Sequence, residues 1–142
     1  MKTIKLSTAH DLHIHLSDFY DQIAFDNSPE FKEYIPHGIW FSLYEKDCFA
    51  GFITLDPINN VTWIAHIMIY KQFRGNKSEQ WGLQVIDYMK NNLRAEKFIA
   101  LTPYITARKY AEKVGMKTTA ILHKSIKKNG TLLDQYMLAT EE

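Results

Sequence analysis

One cysteine, four prolines and six glycines stand in a chain of 142 residues. A lone Cys48 excludes an intrachain disulfide, and a reducing, cytosol-like compartment is the expectation that follows. So little Pro and Gly excludes a collagen-like or low-complexity chain. Long apolar runs are missing too. Even "WIAHIMIY" is broken by His66 and followed by Lys71, well short of the roughly 20 apolar residues that a spanning helix needs. The opening "MKTIKLSTAHDLHIHL" has no signal-peptide core, so a soluble protein is expected. Charge of one sign is also lacking. Seventeen Lys and Arg against 16 Asp and Glu leave a formal +1, which argues against nucleic acid as the ligand.

What is present is a core. Apolar and aromatic residues make up 46% of the chain, and its length suits one hydrophobic centre, so residues 1–142 read as a single domain. "TIKL" alternates as a strand, and Leu12, Leu16, Phe19, Tyr20 and Ile23 recur at helical spacing behind a Ser-Thr cap. "NSPEFKEYI" offers Ser28 as N-cap and Pro29 in the first turn of a second, short helix that Pro36 and Gly38 close. "IWFSLYE", "CFAGFITLD" and "VTWIAHIMIY" read as an antiparallel meander. Val85, Ile86, Met89 and Leu93 mark another helix, and "KFIAL" a buried strand. Thr102 and Pro103 open a third long helix that Gly115 stops. "TTAILHKSI" and "LLDQYMLAT" flank the turn "KKNG". The expected fold class is α/β, a mixed central sheet in the order β-α-α-β-β-β-α-β-α-β-β.

The chemistry gathers at "KQFRGNKSEQW", residues 71–81, where a strand passes into a helix. Unpaired amides and the helix dipole make such a turn suited to phosphate, and Arg74 and Lys77 add positive charge. Together with the order of elements, "IMIYKQFRG" and "ARKYAEKVGMK" resemble the GNAT superfamily of acyl-CoA-dependent N-acyltransferases over nearly the whole chain.

The resemblance implies acetyl-CoA as acyl donor and an amine as acceptor, with a splayed cleft between the fourth and fifth strands. It implies that Ile67, Met68 and Ile69 line the cofactor along the fourth strand. Arg74, Gly75, Asn76, Lys77, Ser78 and Glu79 would form the pyrophosphate loop. Two family glycines fall on Lys77 and Glu79; a Cβ restricts close backbone approach and a carboxylate repels phosphate. The later family motif maps onto Tyr104, Ala107 and the helix end at Gly115. Tyr104 stands for its Asn, and Ala111 for the tyrosine that protonates the departing thiolate. Tyr110 is the substitute acid, one residue early and so turned about 100° toward the core.

Acyl transfer needs a base for the amine and backbone donors for the carbonyl. His66, in the fourth strand, is the base candidate, on the face opposite Ile67 and Ile69; the alternative is a hydrogen-bonded structural histidine. His123 is a lesser candidate. His10 and His13 share a helical face but lack further metal ligands, so no metal is expected. Tyr20, Phe25, Phe31, Tyr34 and Trp40 either wall an acceptor pocket or pack as core. Neither Ser28 nor Cys48 sits in a nucleophile elbow. The second reading is a non-catalytic protein with this fold. Its layout, with a degenerate loop and a short final hairpin, is also similar to GNAT-like proteins of tailed bacteriophages, virion proteins among them. Exposed final strands suggest a homodimer or, in the second reading, a protein assembly.

Overall fold

The alternating runs become strands: β1 (Lys2–Leu6), β2 (Ile39–Glu45), β3 (Cys48–Pro57), β4 (Thr62–Ile69), β5 (Lys97–Thr102), β6 (Met116–Lys128) and β7 (Thr131–Thr140). The computed structural model describes residues 1–75 and 77–141. All seven strands form one sheet in the order β1-β2-β3-β4-β5-β7-β6. Only β4 and β5 run parallel, and every other pair is antiparallel. The expected β2-β3-β4 meander is present, and β3 and β4 pair without a bulge from Gly51 opposite Ile69 to Pro57 opposite Trp63. Side-chain alternation along β4 is therefore strict.

Three α-helices cover the faces: α1 (Ala9–Ile23), α2 (Glu79–Leu93) and α3 (Ile105–Lys113). Thr8 caps α1, its hydroxyl accepting from the Asp11 amide at 3.1 Å. Leu16 and Phe19 of α1 bury against Trp40, Phe52 and Met68 on one face of the sheet. Trp81, Val85 and Met89 of α2 and Ala111 of α3 bury on the other face, against Phe41, Leu43 and Ile53. Phe19, Phe52 and Phe98 are at most 1% exposed, and burial of each stabilises the fold by about 1.5–3 kcal/mol.

The second predicted helix is instead a single 3₁₀ turn, Phe31–Glu33. The segment between Pro29 and Pro36 is too short to offset helix nucleation, so the cap signal at Ser28 closes a turn: its Oγ accepts from the Phe25 amide. The fourth predicted helix begins later than its signal. Tyr104, not Thr102, is the cap residue of α3, while Thr102 Oγ1 accepts from the Tyr104 amide at 3.0 Å. Gly115, at φ +101°, does end it.

The final hairpin is long, not short: β6 has 13 residues and β7 has 10. Its turn residues Asn129 and Gly130 both have positive φ, 52° and 78°, the backbone of the tight turn that suits strand twist. This tip is clasped to the end of α1. The Asp26 carboxylate accepts from the Asn129 and Gly130 amides, each at 2.9 Å. Lys128 Nζ donates to the Asp21 carbonyl and, at 2.8 Å, to the Ala24 carbonyl, where a cation complements the helix C-terminus.

Candidate active site

The parallel pair β4–β5 holds for three residues only, from Thr62 opposite Lys97 to Ile64 opposite Ile99. Beyond them the strands part, because β5 follows its antiparallel partner β7 from Ile99 to Thr102. Tyr70 donates its amide to Ala50 of β3, so by alternation Ala65, Ile67 and Ile69 turn their backbone groups away from β3 into the gap. A cleft of about 530 Å³ fills it.

Ile67, Met68 and Ile69 line this cleft from β4, Arg74, Gly75 and Ser78 from the loop, and Tyr104, Ala107 and Tyr110 from the α3 side. The geometry thus gathers most of the expected cofactor residues around one space. Lys77 and Glu79 are not among the lining residues, and Asn76 lies outside the described residues. Lys109 and Lys113 of α3 also face the cleft. Their signal in the sequence is the basic content of "ARKYAEKVGMK".

The loop reaches the helix without the glycines. Lys77 adopts φ +63°, the left-handed backbone that glycine would otherwise provide. Much of the amide supply is spent internally, however. The Ser78 amide donates to Gly75, Gln80 to Lys77 and Trp81 to Ser78, at 2.9, 3.0 and 3.2 Å. Arg74 Nε donates to the Ile69 carbonyl at 3.0 Å, which fixes the guanidinium at the end of β4 with its terminal nitrogens still available. Glu79 Oε2 is buried with no partner.

Tyr110 packs against the core, as the rotation predicts, and also lines the cleft. Its hydroxyl donates to the Ser78 carbonyl at 2.8 Å and accepts from the Gly82 amide at 3.0 Å. Those two groups would form the first i to i−4 bond of α2, so the phenol is inserted into the helix ladder. Burial above all holds the Tyr110 pKa above the ordinary tyrosine range. Gly82 is needed there, since a Cβ would lie 3.1 Å from that hydroxyl and 2.6 Å from Val114 Cγ1.

His66 falls on the α1 face, as the alternation predicts, opposite Thr54. It lines the large cleft and also a second cavity of about 180 Å³. Burial lowers its pKa, Asp56 raises it and His37 lowers it again, with burial the largest effect. The ring is therefore neutral at pH 7, the state a base requires. Tyr20, Tyr34 and Trp40 wall the second cavity, Phe25 faces the large cleft, and Phe31 lines neither. Asp56 and His37 were not singled out from the sequence. Asp56 shares the His66 face of the sheet, a placement visible only through the β3–β4 register.

The histidines of α1 lie elsewhere: His10 and His13 are exposed, and His15 stacks on Phe49 with ring centroids 3.8 Å apart. His123 Nδ1 sits 3.4 Å from Asp134 on the exposed final hairpin. Among the described residues, no helix is long and apolar enough to cross a membrane.

No family model and no curated protein matches the sequence. Solved structures do match. The spermidine N-acetyltransferase of Vibrio cholerae in complex with CoA and spermine shares 15% identity over 97% of this chain and 94% of its own, at a TM-score of 0.79. The ribosomal-protein-S5-alanine acetyltransferase of Vibrio fischeri shares 10%, over 98% of this chain and 92% of its own, at 0.76. The yncA protein of Salmonella typhimurium, solved with its cofactor acetyl-CoA, shares 11% over 99% and 94%, also at 0.76. At such identities the likeness is one of fold, and the fold is that of the GNAT acetyltransferases.

Proposed function

We propose that residues 1–142 form a single N-acyltransferase domain that moves an acyl group, acetyl first of all, from acyl-CoA to an amine. The observation that carries this reading is the cleft between β4 and β5, which runs from the N-terminal turn of α2 to His66. Its chemistry fits the donor. An extended apolar wall ends in β4 backbone that β5 leaves unpaired beyond Ile64, and Arg74, Lys109 and Lys113 supply cations for phosphate. Acetyl-CoA, when bound, supplies an activated thioester.

The residues of this chain do the rest. Backbone amides of Ala65, Ile67 and Ile69 pair the extended part of the donor, and those beside its carbonyl stabilise developing negative charge. His66, neutral and buried, takes a proton from the acceptor nitrogen as the amine attacks; the new bond is N–C and the broken bond C–S. Tyr110 directs its proton at the Ser78 carbonyl, so we read it as the residue that positions the first turn of α2, and water returns the proton to sulfur. This reading also places the protein in the cytoplasm with exposed Cys48 reduced, and a homodimer would pair through edge strand β6.

The test is thermal stability with and without millimolar acetyl-CoA, with desulfo-CoA and ATP as controls. At 100 times its dissociation constant a ligand adds about 2.7 kcal/mol, or roughly 6–10 °C for a chain of this size. A rise with acetyl-CoA and desulfo-CoA, lost in Arg74→Glu, is expected. No rise would sink the reading. A second reading then leads: a non-catalytic protein with this fold, such as a virion or host-interaction protein. Its support is the unpartnered carboxylate oxygen of Glu79 beside the loop, which opposes an anion there.

A further inference from the structure

We infer that the smaller cavity beside His66 takes the acceptor as a compact primary alkylammonium ion, with Asp56 as its counter-charge. This rests on the acyl-transfer reading above and adds the class of substrate.

The two cavities share only Ile23 and His66. His66 is thus the partition between the donor cleft and a space of about 180 Å³, room for on the order of six water-sized groups. Asp56 lies on β3 two residues beyond Thr54, which pairs with His66, so both side chains share one sheet face. The carboxylate is held in place. His37 Nδ1 lies 2.7 Å from Asp56 Oδ1, and the Gly38 backbone approaches so closely that a Cβ there would overlap the carboxylate. One oxygen is thereby occupied and the other is left for a ligand.

The remaining wall is aromatic. The Tyr20 and Tyr34 rings lie 4.9 Å apart at 52°, and Trp40 closes the side. Two of the three polar tips are already used. Tyr20 donates to the Pro29 carbonyl and Trp40 Nε1 to the His37 carbonyl at 2.8 Å. What those residues offer the cavity is ring surface. No Lys or Arg lines it. Ring faces beside one carboxylate favour a cation and disfavour a second anion. Once bound, the ammonium loses one proton to His66, its nitrogen forms the N–C bond, a second proton leaves that nitrogen for water as the C–S bond breaks, and water passes a proton to the thiolate.

The experiment is calorimetric titration of the full chain with n-butylamine, 4-aminobutyrate and n-butanol, with desulfo-CoA present. Butylamine is expected to bind at least tenfold more tightly than the other two, and Asp56→Asn to erase that preference. Equal binding of all three, preference for 4-aminobutyrate, or an unchanged preference in Asp56→Asn would overturn the inference. If Asp56→Asn fails to fold, Tyr34→Leu serves, and it should weaken butylamine several-fold while leaving butanol unchanged; the reverse pattern would overturn the proposal. Acetyl transfer to butylamine is followed separately. Ammonium binding that depends on Asp56, without transfer, would keep the pocket and overturn the acyltransferase reading instead.

Discussion

Replacing Tyr110 by Phe removes one oxygen atom and tests how the site is built. That oxygen accepts from the Gly82 amide and donates to the Ser78 carbonyl, at 3.0 and 2.8 Å. Gly82 is buried and Ser78 is 3% exposed, so neither group has ready access to water. The Ser78 carbonyl keeps the Trp81 amide at 3.2 Å, so the Gly82 amide is the group left without a partner, at a cost of about 1–3 kcal/mol. The turn can relax in part by closing the direct bond from Gly82 to Ser78, which recovers one interaction. The expected loss is therefore about 1–2 kcal/mol, below the upper end of that cost. Urea denaturation reads it as a lower midpoint at unchanged slope. Closing that bond also moves Ser78 and the loop before it, so the Kd for acetyl-CoA should rise by about tenfold while kcat changes less. A variant as stable as the parent, with acetyl-CoA affinity intact and kcat reduced a hundredfold, would refute the reasoning and make the phenol the proton donor.

Two further outcomes follow from the same site. Lys77→Gly relieves a left-handed residue worth about 1–2 kcal/mol of strain and adds roughly 0.5–1 kcal/mol of unfolded-state entropy, for a net gain of about 0.5 kcal/mol in a urea melt; a loss above 1 kcal/mol would contradict it. His66, its pKa lowered chiefly by burial below the ordinary 6.5, should give kcat/KM an acid limb centred below that pH, absent in His66→Gln. Because the folded state resists protonation of this ring, its share of stability is intact above pH 6.5 and falls as pH drops through 6.5 toward the folded value. A midpoint above 6.5, or the same limb in His66→Gln, would exclude His66 as base.

The strands were legible because each carries its own alternation, and the meander and the parallel crossover place β2 to β5, whereas β7 rather than β6 lies beside β5. Short-range signals failed where tertiary packing set the boundary. Ser28 and Pro29 look like a helix start, but the next proline, Pro36, leaves no length for a helix. Thr102 looks like a cap, yet β5 runs through it and α3 starts three residues later. The site divides in the same way. The face of His66 follows from period two, whereas its neighbour Asp56 depends on which residue of β3 lies opposite. Rotation by one helical residue correctly separates Tyr110 from Ala111, but it cannot reveal that α2 begins where that phenol points.

The loss of glycine from the loop therefore has two separable consequences. Conformation survives, because Lys77 takes the left-handed backbone itself and Gly75 does the same at φ +76°. Donor supply is what declines. Of the first four amides of α2, those of Gln80, Trp81 and Gly82 are engaged within the protein, so the helix offers an anion fewer free N–H groups than a helix N-terminus provides in principle. Attraction for diphosphate then rests on Arg74, on the lysines of α3 and on the dipole of a 15-residue helix. Exposed charges of that kind are screened by salt where buried amides are not. Acetyl-CoA affinity in this chain should accordingly draw more on the β4 edge, a contact that involves no charge and leaves selectivity over ATP to the extended arm between β4 and β5.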